Sequence, residues 1–375
     1  MTEELIAEVF SDSRKVSRFL AQKDPLTILS KILGPSFDEY RLKWHLARSM
    51  QKIPAFPLHV DYELKRECDL RCPMCLARNP ENISDLELSP KTVKDLIDLG
   101  AASGQASMGF GGLWEPLNSP DIPDLVAYGR SKGLVEAMFN TNGLRLSPSV
   151  SRELIKSGLT RIMISLDAAT EETYKLMRPG SDFKLVENNI HQLLALKKAL
   201  NSPLPLVRVS FCLTSLNETE LDSFIERWRE VVDFISLQYY GNFNTQKSHL
   251  WPKLGQVPPP SGKCAQPFKR LSILCDGTVL PCCDLSGLSF KIGSIYQNYP
   301  GSPFNLGNQD NQDNLGNLGN PGNPGNPIKL GNLGNLSDIW TGELMRDLRE
   351  RHFKGGDELP KVCQRCQAKF QPDNF

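Results

Sequence analysis

The sequence lacks long apolar runs and has no excess charge of either sign. No segment approaches the about 18 uncharged apolar residues that a membrane-spanning helix needs. The first thirty residues mix both charges and contain no apolar stretch like that of a signal peptide. Lysine plus arginine equals aspartate plus glutamate at 43 each, so no overall field attracts nucleic acid or an anionic membrane. These absences predict a cytoplasmic protein that binds neither nucleic acid nor membrane.

Cysteine, in contrast, is well represented, with ten residues. Because thiols stay reduced in the cytoplasm, we expect metal binding or catalysis rather than a disulfide framework. One cysteine, Cys212, stands alone, and the others form three groups: Cys68, Cys72 and Cys75; Cys264, Cys275, Cys282 and Cys283; and Cys363 and Cys366. The function therefore depends on where these groups lie in the fold.

Between the first two cysteine groups, short β-branched or apolar runs alternate with helical patterns, as in βαβ units with a parallel sheet. Strands are predicted at residues 58–64, 105–110, 135–140, 161–167, 206–213 and 234–238. Six such repeats are fewer than a closed TIM barrel contains. The sequence therefore predicts an α/β fold, a partial (β/α)6 TIM-like barrel with an open face at the carboxyl ends of its strands.

Local signals place several helices. Ser89 followed by Pro90 is an N-cap with proline at the first helical position. Asn217 with Glu220 three residues later has the form of a capping box. Apolar residues at positions 186, 190, 193 and 194 predict a one-faced helix that covers the sheet.

Composition divides the chain into three parts. Residues 1–53 are helical in pattern, and either a helical lid on the barrel or a peptide-docking element fits them. The barrel is placed at residues 54–250, before a proline-rich stretch. Residues 251–375 form a small C-terminal cysteine-rich domain. Within it, residues 305–336 are a low-complexity tract that cannot bury a core; we interpret it as a disordered insertion, with a partner-binding tract as the alternative.

The first cysteine group directly follows the first predicted strand. Its C-x3-C-x2-C spacing over Cys68, Cys72 and Cys75 supplies one ligand fewer than the irons of a cubane cluster. One iron would therefore remain open to a further ligand. Structural zinc is less favoured, because it needs a closed tetrahedron and no nearby histidine or cysteine completes one.

At this spacing the loop resembles the signature of the radical S-adenosylmethionine (radical SAM) superfamily. The resemblance covers most of residues 57–240, because other family motifs follow at successive strand ends: Gly109-Phe-Gly-Gly-Leu-Trp-Glu115-Pro116, Thr141-Asn142-Gly143 and Ser165-Leu166-Asp167. It implies that the three cysteines hold a 4Fe–4S cluster whose open iron binds SAM. It further implies that SAM is cleaved reductively to a 5′-deoxyadenosyl radical, which abstracts a substrate hydrogen.

The resemblance also implies which residues contact SAM: Gly111, Gly112, Glu115, Asn142, Ser165, Asp167 and Arg178. Trp114 departs from the pattern, since relatives often have glycine there. The alternative for Glu115 is a solvated loop carboxylate. The alternative for Asp167 is a cap on a helix that starts near Thr170.

The later cysteine groups supply four further thiolates: Cys264, Cys282, Cys363 and Cys366. Thiolates of this number suit a second cubane cluster or zinc. Two apolar runs around Asp276-Gly277 predict a β-hairpin between the first two of these cysteines. The segment resembles the auxiliary-cluster domains called SPASM and, in a shorter one-cluster form, twitch. This resemblance implies one auxiliary 4Fe–4S cluster with four protein ligands.

The family resemblance implies an enzyme, with a ribosomally made peptide as its first substrate class. A sugar-like small alcohol is the alternative substrate, and a non-enzymatic iron–sulfur or zinc scaffold is the remote alternative. A reductant such as flavodoxin or ferredoxin is implied as a partner. Cys212 and Cys275 fall within apolar runs and are expected to be small buried hydrophobes. Cys283 directly follows a ligand and is expected to point elsewhere. One of these spare cysteines as a hydrogen-atom donor is the alternative.

Overall fold

The computed structural model describes residues 19–20, 24–75, 84–112, 114–240, 249–250, 264–282, 290–296 and 335–365. The strands in this part of the chain are β1 Phe19–Leu20, β2 His59–Tyr62, β3 Ser107–Phe110, β4 Glu136–Thr141, β5 Arg161–Ser165, β6 Leu206–Leu213, β7 Phe234–Tyr239, β8 Arg270–Ile273, β9 Thr278–Leu280 and β10 Gly293–Ser294. All belong to one sheet, in the order β1-β7-β6-β5-β4-β3-β2-β8-β9-β10.

Strands β2 to β7 are parallel and adjacent in chain order. The six predicted strands and the partial barrel are therefore confirmed. Two additions extend the sheet beyond the prediction. β1 pairs antiparallel with β7, and β8 pairs parallel with β2.

The helices of the described residues are α1 Pro25–Leu33, α2 Pro35–Arg48, α3 Pro90–Ser103, α4 Ile122–Ser131, α5 Pro148–Lys156, α6 Glu171–Met177, α7 Phe183–Ala199, α8 Leu221–Trp228, α9 Asn335–Thr341, α10 Glu343–Lys354 and α11 Lys361–Arg365. α3 begins as predicted, because the Ser89 hydroxyl accepts from the Thr92 N–H at 3.1 Å and Pro90 comes first in the helix. α7 buries the predicted stripe. None of these helices is long and apolar enough to cross a bilayer.

The capping box predicted at Asn217 and Glu220 is wrong. α8 begins at Leu221, after a short 3₁₀ turn, and neither side chain caps it. The Asn217 amide instead donates to the carbonyls of Asp167 at 2.8 Å and Cys212 at 2.9 Å. Glu220 accepts from two backbone N–H groups just before α6. Both residues therefore tie the loop after β6 to the loop after β5.

Side chains alternate between the two faces of the barrel strands. The outward set, such as Val60, Ile162 and Val209, packs under the helices in the main hydrophobic core. The inward set is largely polar: His59, Asp61, Glu63, Ser107, Glu136, Arg161, Ser165, Arg208, Ser210, Ser236, Arg270 and Ser272. Closed TIM barrels fill this space mainly with branched apolar residues. The interior of this barrel is therefore polar and buried, unlike the apolar interior of a closed TIM barrel.

Helices α1 and α2 close the amino end of the barrel. Phe37, Tyr40 and Trp44 form a second apolar cluster with residues at the strand starts, such as Leu206 and Phe234. The Tyr40 hydroxyl accepts from the Ser107 hydroxyl at 3.1 Å. This helical cover lies at the end opposite to the cysteine loop of residues 68–75.

The C-terminal region contains the predicted hairpin, formed by β8 and β9 around Gly277, which has a φ of +79°. Its helices pack back on the barrel, since the Trp340 indole donates to the Pro54 carbonyl at 2.8 Å and the Arg349 guanidinium lies 4.0 Å from the Trp340 ring. Because β8 joins the barrel sheet, this region and the barrel are continuous there. The predicted boundary at residues 251–262 and most of the predicted insertion, residues 305–334, lie outside the described residues.

Candidate functional site

The cysteine loop of residues 68–75 follows the carboxyl end of β2, as predicted. The Cys75 N–H donates to the Cys72 carbonyl at 3.1 Å, which folds the loop into a turn. The Arg71 N–H donates to the Pro179 carbonyl at 3.1 Å. The loop beyond α6 therefore holds the cysteine loop in place.

The three thiols of this loop have different surroundings. Cys68 is exposed, Cys75 is half-buried and Cys72 is buried. Burial raises the pKa of the Cys72 thiol to about 11. Within the described ranges, no three cysteine, histidine, aspartate or glutamate side chains converge on a point that could hold one metal ion. Thiolates on one loop nevertheless fit a cubane cluster, in which each cysteine binds a different iron.

Glu115 is 3 % exposed, which excludes a solvated loop carboxylate. Its Oε1 accepts from the Thr141 hydroxyl at 2.6 Å and the Leu117 N–H at 3.1 Å, and its Oε2 accepts from the Asn142 N–H at 2.6 Å. Burial raises the pKa of Glu115, although these three donors favour the carboxylate. The carboxyl group therefore joins the turns after β3 and β4 into one unit.

Asn142 is buried in this unit, at 4 % exposed. Its Oδ1 accepts from the Leu144 N–H at 2.9 Å, whereas its Nδ2 has no hydrogen-bond partner among the residues that the structure describes. The neighbouring Gly143 has a φ of +79°, which favours glycine. Because a buried donor without a partner costs stability, the Asn142 amide fits a polar ligand group at this turn.

The glycine turn after β3 lies against the end of β2. Gly112 has a φ of +127°, and a Cβ there would lie 2.3 Å from the Glu63 carboxylate. The Trp114 indole, which departs from the family pattern, is buried and donates to the Gly111 carbonyl at 2.9 Å. It therefore braces the glycine turn from the hydrophobic core.

Asp167 and Arg178 form a buried ion pair beside the cysteine loop. Asp167 has a φ of +62°, and its Oδ1 accepts from the Cys212 N–H at 2.7 Å. The N-cap of α6 is Thr170, so Asp167 is not a helix cap. The Arg178 Nη1 lies 3.8 Å from the Cys72 sulfur. The pair thus holds a cation next to the loop.

The remaining site residues lie at the same edge of the sheet. Ser165 ends β5 and is half-buried. Cys212 lies near the end of β6, where burial raises the pKa of its thiol. Cys275 follows β8, and its N–H donates to the Glu63 carboxylate at 3.4 Å. Two spare cysteines therefore lie at the carboxyl end of the barrel, and Cys283 lies outside the described residues.

The structure describes three of the four predicted auxiliary ligands. Cys264 precedes β8, Cys282 follows β9 and Cys363 lies on α11. The carbonyl of Cys264 accepts from the His352 Nδ1 at 2.9 Å, which ties this cysteine to α10. Cys366 lies outside the described residues, so the four-cysteine set stays a prediction.

Sequence reasoning missed the polar side chains inside the barrel. Asp61 accepts from the His59 Nε2 at 3.0 Å and from the Arg270 Nη2 at 2.5 Å. Burial acts to raise the pKa of Asp61, but the neighbouring Arg270 and His59 outweigh it and lower the pKa. Glu136 and Arg161 form another buried ion pair at 2.6 Å. Polar residues at every second position of the strands were the signal for this set.

Two family models match the chain. The radical SAM superfamily model covers residues 62–227, and a model of an iron–sulfur cluster-binding domain, SPASM, covers residues 264–318. The mycofactocin maturase MftC of Mycobacterium tuberculosis is 31% identical over 168 residues, which cover 45% of this chain and 41% of the relative. The Fe-coproporphyrin III synthase of Methanosarcina barkeri is 32% identical over 155 residues, 41% of this chain and 37% of the relative. The matches span about two fifths of these relatives.

The fold also has a counterpart among solved structures. Streptococcus suis SuiB, solved bound to the precursor peptide SuiA, matches with a TM-score of 0.50 and 16% identity, covering 67% of this chain and 64% of SuiB. This likeness supports the partial barrel. The superfamily model begins in β2 and ends in α8, so it contains the cysteine loop and the turns around it. The chain therefore contains a radical SAM superfamily domain, which is followed by an iron–sulfur cluster-binding SPASM domain.

Proposed function

We propose that this protein cleaves S-adenosylmethionine reductively and abstracts a hydrogen atom from a ribosomally made peptide bound in the barrel. Its domains imply a SAM-binding 4Fe–4S cluster and auxiliary iron–sulfur binding. When bound, these groups supply the electron and the radical. The buried Asn142 amide and the Asp167–Arg178 pair beside the cysteine loop carry the proposal, because they offer polar groups to a ligand next to the residues that would hold the cluster.

The proposal assigns the first cluster to Cys68, Cys72 and Cys75, and SAM to seven residues: Gly111, Gly112, Glu115, Asn142, Ser165, Asp167 and Arg178. The Asn142 amide offers SAM a donor, and the Asp167–Arg178 pair offers a fixed cation. Both oxygens of Glu115 accept hydrogen bonds within the protein, so Glu115 also holds the turn that presents Asn142. A site ordered in this way needs little rearrangement when the ligand binds.

The auxiliary 4Fe–4S cluster is assigned to four cysteines, Cys264, Cys282, Cys363 and Cys366. A closed set of four thiolates leaves no iron open to substrate. We therefore assign this cluster to electron transfer rather than to substrate binding. A flavodoxin or ferredoxin would supply the electron for cleavage of SAM.

A peptide substrate is supported by the relative named mycofactocin maturase. It is also supported by the sheet order, because β1 and β10 are the outer strands and do not pair with each other. The described barrel is therefore open at its side, which admits an extended chain. A small-molecule substrate is the second candidate, supported by the similarity to Fe-coproporphyrin III synthase.

The radical chemistry is tested by reconstituting the protein anaerobically, counting iron and sulfide, and assaying 5′-deoxyadenosine with dithionite. The control is a Cys68/Cys72/Cys75 triple alanine variant. We expect about eight irons per chain in the wild type and about four in the variant, with loss of deoxyadenosine. A fully loaded wild type that forms no deoxyadenosine contradicts the proposal. Four irons together with zinc would remove the auxiliary redox role.

The substrate class is tested by co-expressing the protein with short peptides encoded beside its gene and measuring peptide mass. We expect a change of mass that the triple alanine variant does not produce. Unchanged peptides, together with active cleavage of SAM, would contradict the peptide assignment and favour the small-molecule candidate.

A further inference from the structure

Glu63 directly follows β2, at a point where several segments of the chain meet. The residue is 1 % exposed. Its Oε1 accepts from the Arg66 Nε at 2.7 Å, and Arg66 belongs to the short segment that leads from β2 to the cysteine loop. Because a buried carboxylate needs a charged or hydrogen-bonding partner, this ion pair ties Glu63 to the start of the cysteine loop.

The same carboxylate packs on the glycine turn after β3. A Cβ at Gly112 would lie 2.3 Å from the Glu63 Oε2 and 2.9 Å from the Glu63 Cγ and Cδ. Gly112 also has a φ of +127°. The backbone of the turn approaches Glu63 this closely only because position 112 has no side chain. Glu63 therefore limits how near the turn can come to the end of β2.

Backbone hydrogen bonds join the same two segments on either side of this contact. The Gly111 N–H donates to the Tyr62 carbonyl at 3.3 Å, and the Glu115 N–H donates to the Glu67 carbonyl at 2.9 Å. Glu63 lies between Tyr62 and Glu67 in the chain and adds a side-chain contact to these two bonds. Together, the three contacts fix the distance between the glycine turn and the residues that would hold the cluster.

The C-terminal hairpin also holds Glu63. The Glu63 N–H donates to the Ile273 carbonyl at 2.9 Å, and the Cys275 N–H donates to the Glu63 Oε1 at 3.4 Å. Ile273 ends β8, and Cys275 lies in the turn before β9. Both residues belong to the part of the chain that the SPASM model matches. The SPASM hairpin therefore contributes to the position of Glu63, and through it to that of the glycine turn.

We propose that Glu63 is a positioning residue for SAM, which sets the spacing between the glycine turn and the cysteine loop and is itself held by the SPASM hairpin. The inference rests on the proposed function, since that function assigns SAM to both segments. A ligand that contacts two segments at once binds tightly only when their spacing matches its own length. Loosening Glu63 should therefore weaken SAM binding, although no group that touches SAM is removed.

The test uses the full-length, anaerobically reconstituted protein and measures iron content, Tm and SAM affinity by equilibrium dialysis. Glu63→Gln and Glu63→Ala are compared with Glu136→Gln and Glu136→Ala. Glu136 is a matched control, because it is also fully buried and paired with an arginine, Arg161 at 2.6 Å, but lies at the start of β4, away from the glycine turn.

We expect every variant to keep its iron and the two Gln variants to lose Tm to a similar extent, because each breaks a buried ion pair. SAM affinity should fall by about tenfold in Glu63→Gln, which loses a charge-assisted hydrogen bond, and further in Glu63→Ala, which also loses the contact with Gly112. The Glu136 variants should bind SAM like the wild type. The SAM concentration that changes the EPR spectrum of the reduced protein should rise by the same factor as the dialysis constant.

Equal SAM affinities in the Glu63 and Glu136 variants of the same type would overturn the inference. Loss of iron from Glu63→Gln would also overturn it, because Glu63 would then hold the cluster rather than the spacing. If Glu63→Ala does not fold, the nearly isosteric Gln pair decides. Deoxyadenosine formation separates the inference from the proposed function: a wild type that binds SAM in a Glu63-dependent way without forming deoxyadenosine contradicts that function alone.

Discussion

At the amino end of the barrel, α1 and α2 pack aromatic rings against the strand starts, and the Tyr40 hydroxyl has a buried partner in Ser107. At the carboxyl end, the unusual groups lie beside the cysteine loop: the Asn142 Nδ2 has no partner in the described part of the chain, and Asp167 has a φ of +62°, whereas the Trp44 Nε1, the corresponding amino-end donor, lies in the aromatic cluster. Such features cost stability and persist where a function needs them. Substitutions at the amino end should therefore change stability, and those at the carboxyl end should mainly change ligand binding.

The largest expected effect lies at the amino end, in Trp44→Ala. Trp44 is 2 % exposed, lies edge-on to Tyr40 at 5.8 Å and has the Lys269 ammonium 4.4 Å from its ring. We expect the free energy of unfolding to fall by about 3–5 kcal/mol, because the truncation leaves a cavity. Chemical denaturation measures this loss, with the exposed Phe353→Ala as the control. A loss of SAM affinity in the folded variant with unchanged stability would break the comparison.

At the carboxyl end, Asp167→Asn removes one partner of a buried ion pair. Asparagine tolerates the positive φ and keeps the acceptor for the Cys212 N–H, so the change isolates the charge. We expect a loss of about 3 kcal/mol, because Arg178 stays buried without its carboxylate, together with loss of SAM binding by equilibrium dialysis.

Asp167→Ala separates the backbone contribution from the charge. Alanine lacks the local hydrogen bonds that make a left-handed conformation tolerable, which should add about 1 kcal/mol to the loss. If Asp167→Asn and Asp167→Ala both retain wild-type SAM affinity, the ion pair at the carboxyl end has only a structural role. The expected difference between the two ends of the barrel would then be contradicted.

The sequence predicts the six barrel strands and the start of α3 because alternation, periodicity and caps are local signals. The pairing of β8 with β2 was not predictable in this way. It depends on contacts such as the one between Asp61 and Arg270, which are 209 residues apart. The capping box at Asn217 failed because its Oδ1, the atom that would accept from the helix, instead accepts from the Thr214 N–H at 2.7 Å, while its Nδ2 donates to the carbonyls of Asp167 and Cys212.

The candidate site follows the same rule. The cysteine spacing and the turn motifs predict its residues by resemblance, and the structure brings the described ones to one edge of the sheet. Spacing does not indicate which buried groups form hydrogen bonds with one another. The Glu115 carboxylate accepts from the Thr141 hydroxyl and the Asn142 N–H, whereas the Asn142 Nδ2 has no partner among the described residues. Such distinctions depend on tertiary packing.

A smaller effect is expected for Gly143→Ala, which adds one methyl group to the turn after β4. With a φ of +79°, alanine there should cost about 1–2 kcal/mol, and its Cβ would lie 3.0 Å from Ile164 and Val186. Gly133→Ala is the matched control, because Gly133 also has a positive φ but has open space around a Cβ. Thermal denaturation of the pair separates the backbone cost from the contact. Equal losses would show that the turn has room to move.

The smallest expected effect on stability gives the sharpest comparison, because two buried asparagines contact the same turn. The Asn189 Nδ2 donates to the carbonyls of Gly143 at 2.9 Å and Leu144 at 3.2 Å, whereas the Asn142 Nδ2 has no partner among the described residues. Asn189→Ala should therefore lower the free energy of unfolding by about 1–3 kcal/mol, since it leaves two buried carbonyls without donors.

Asn142→Ala should cost less than about 1 kcal/mol, because the hydrogen bond it loses at Leu144 is offset by removal of an unsatisfied donor. If the Asn142 Nδ2 donates to SAM, Asn142→Ala weakens SAM binding more than Asn189→Ala does. The variant with the smaller loss of stability should therefore show the larger loss of SAM affinity. Denaturation and equilibrium dialysis on both variants measure this directly. If Asn189→Ala causes the larger loss in both stability and SAM affinity, the Asn142 Nδ2 does not bind SAM. The lack of a partner for this amide would then be a packing defect.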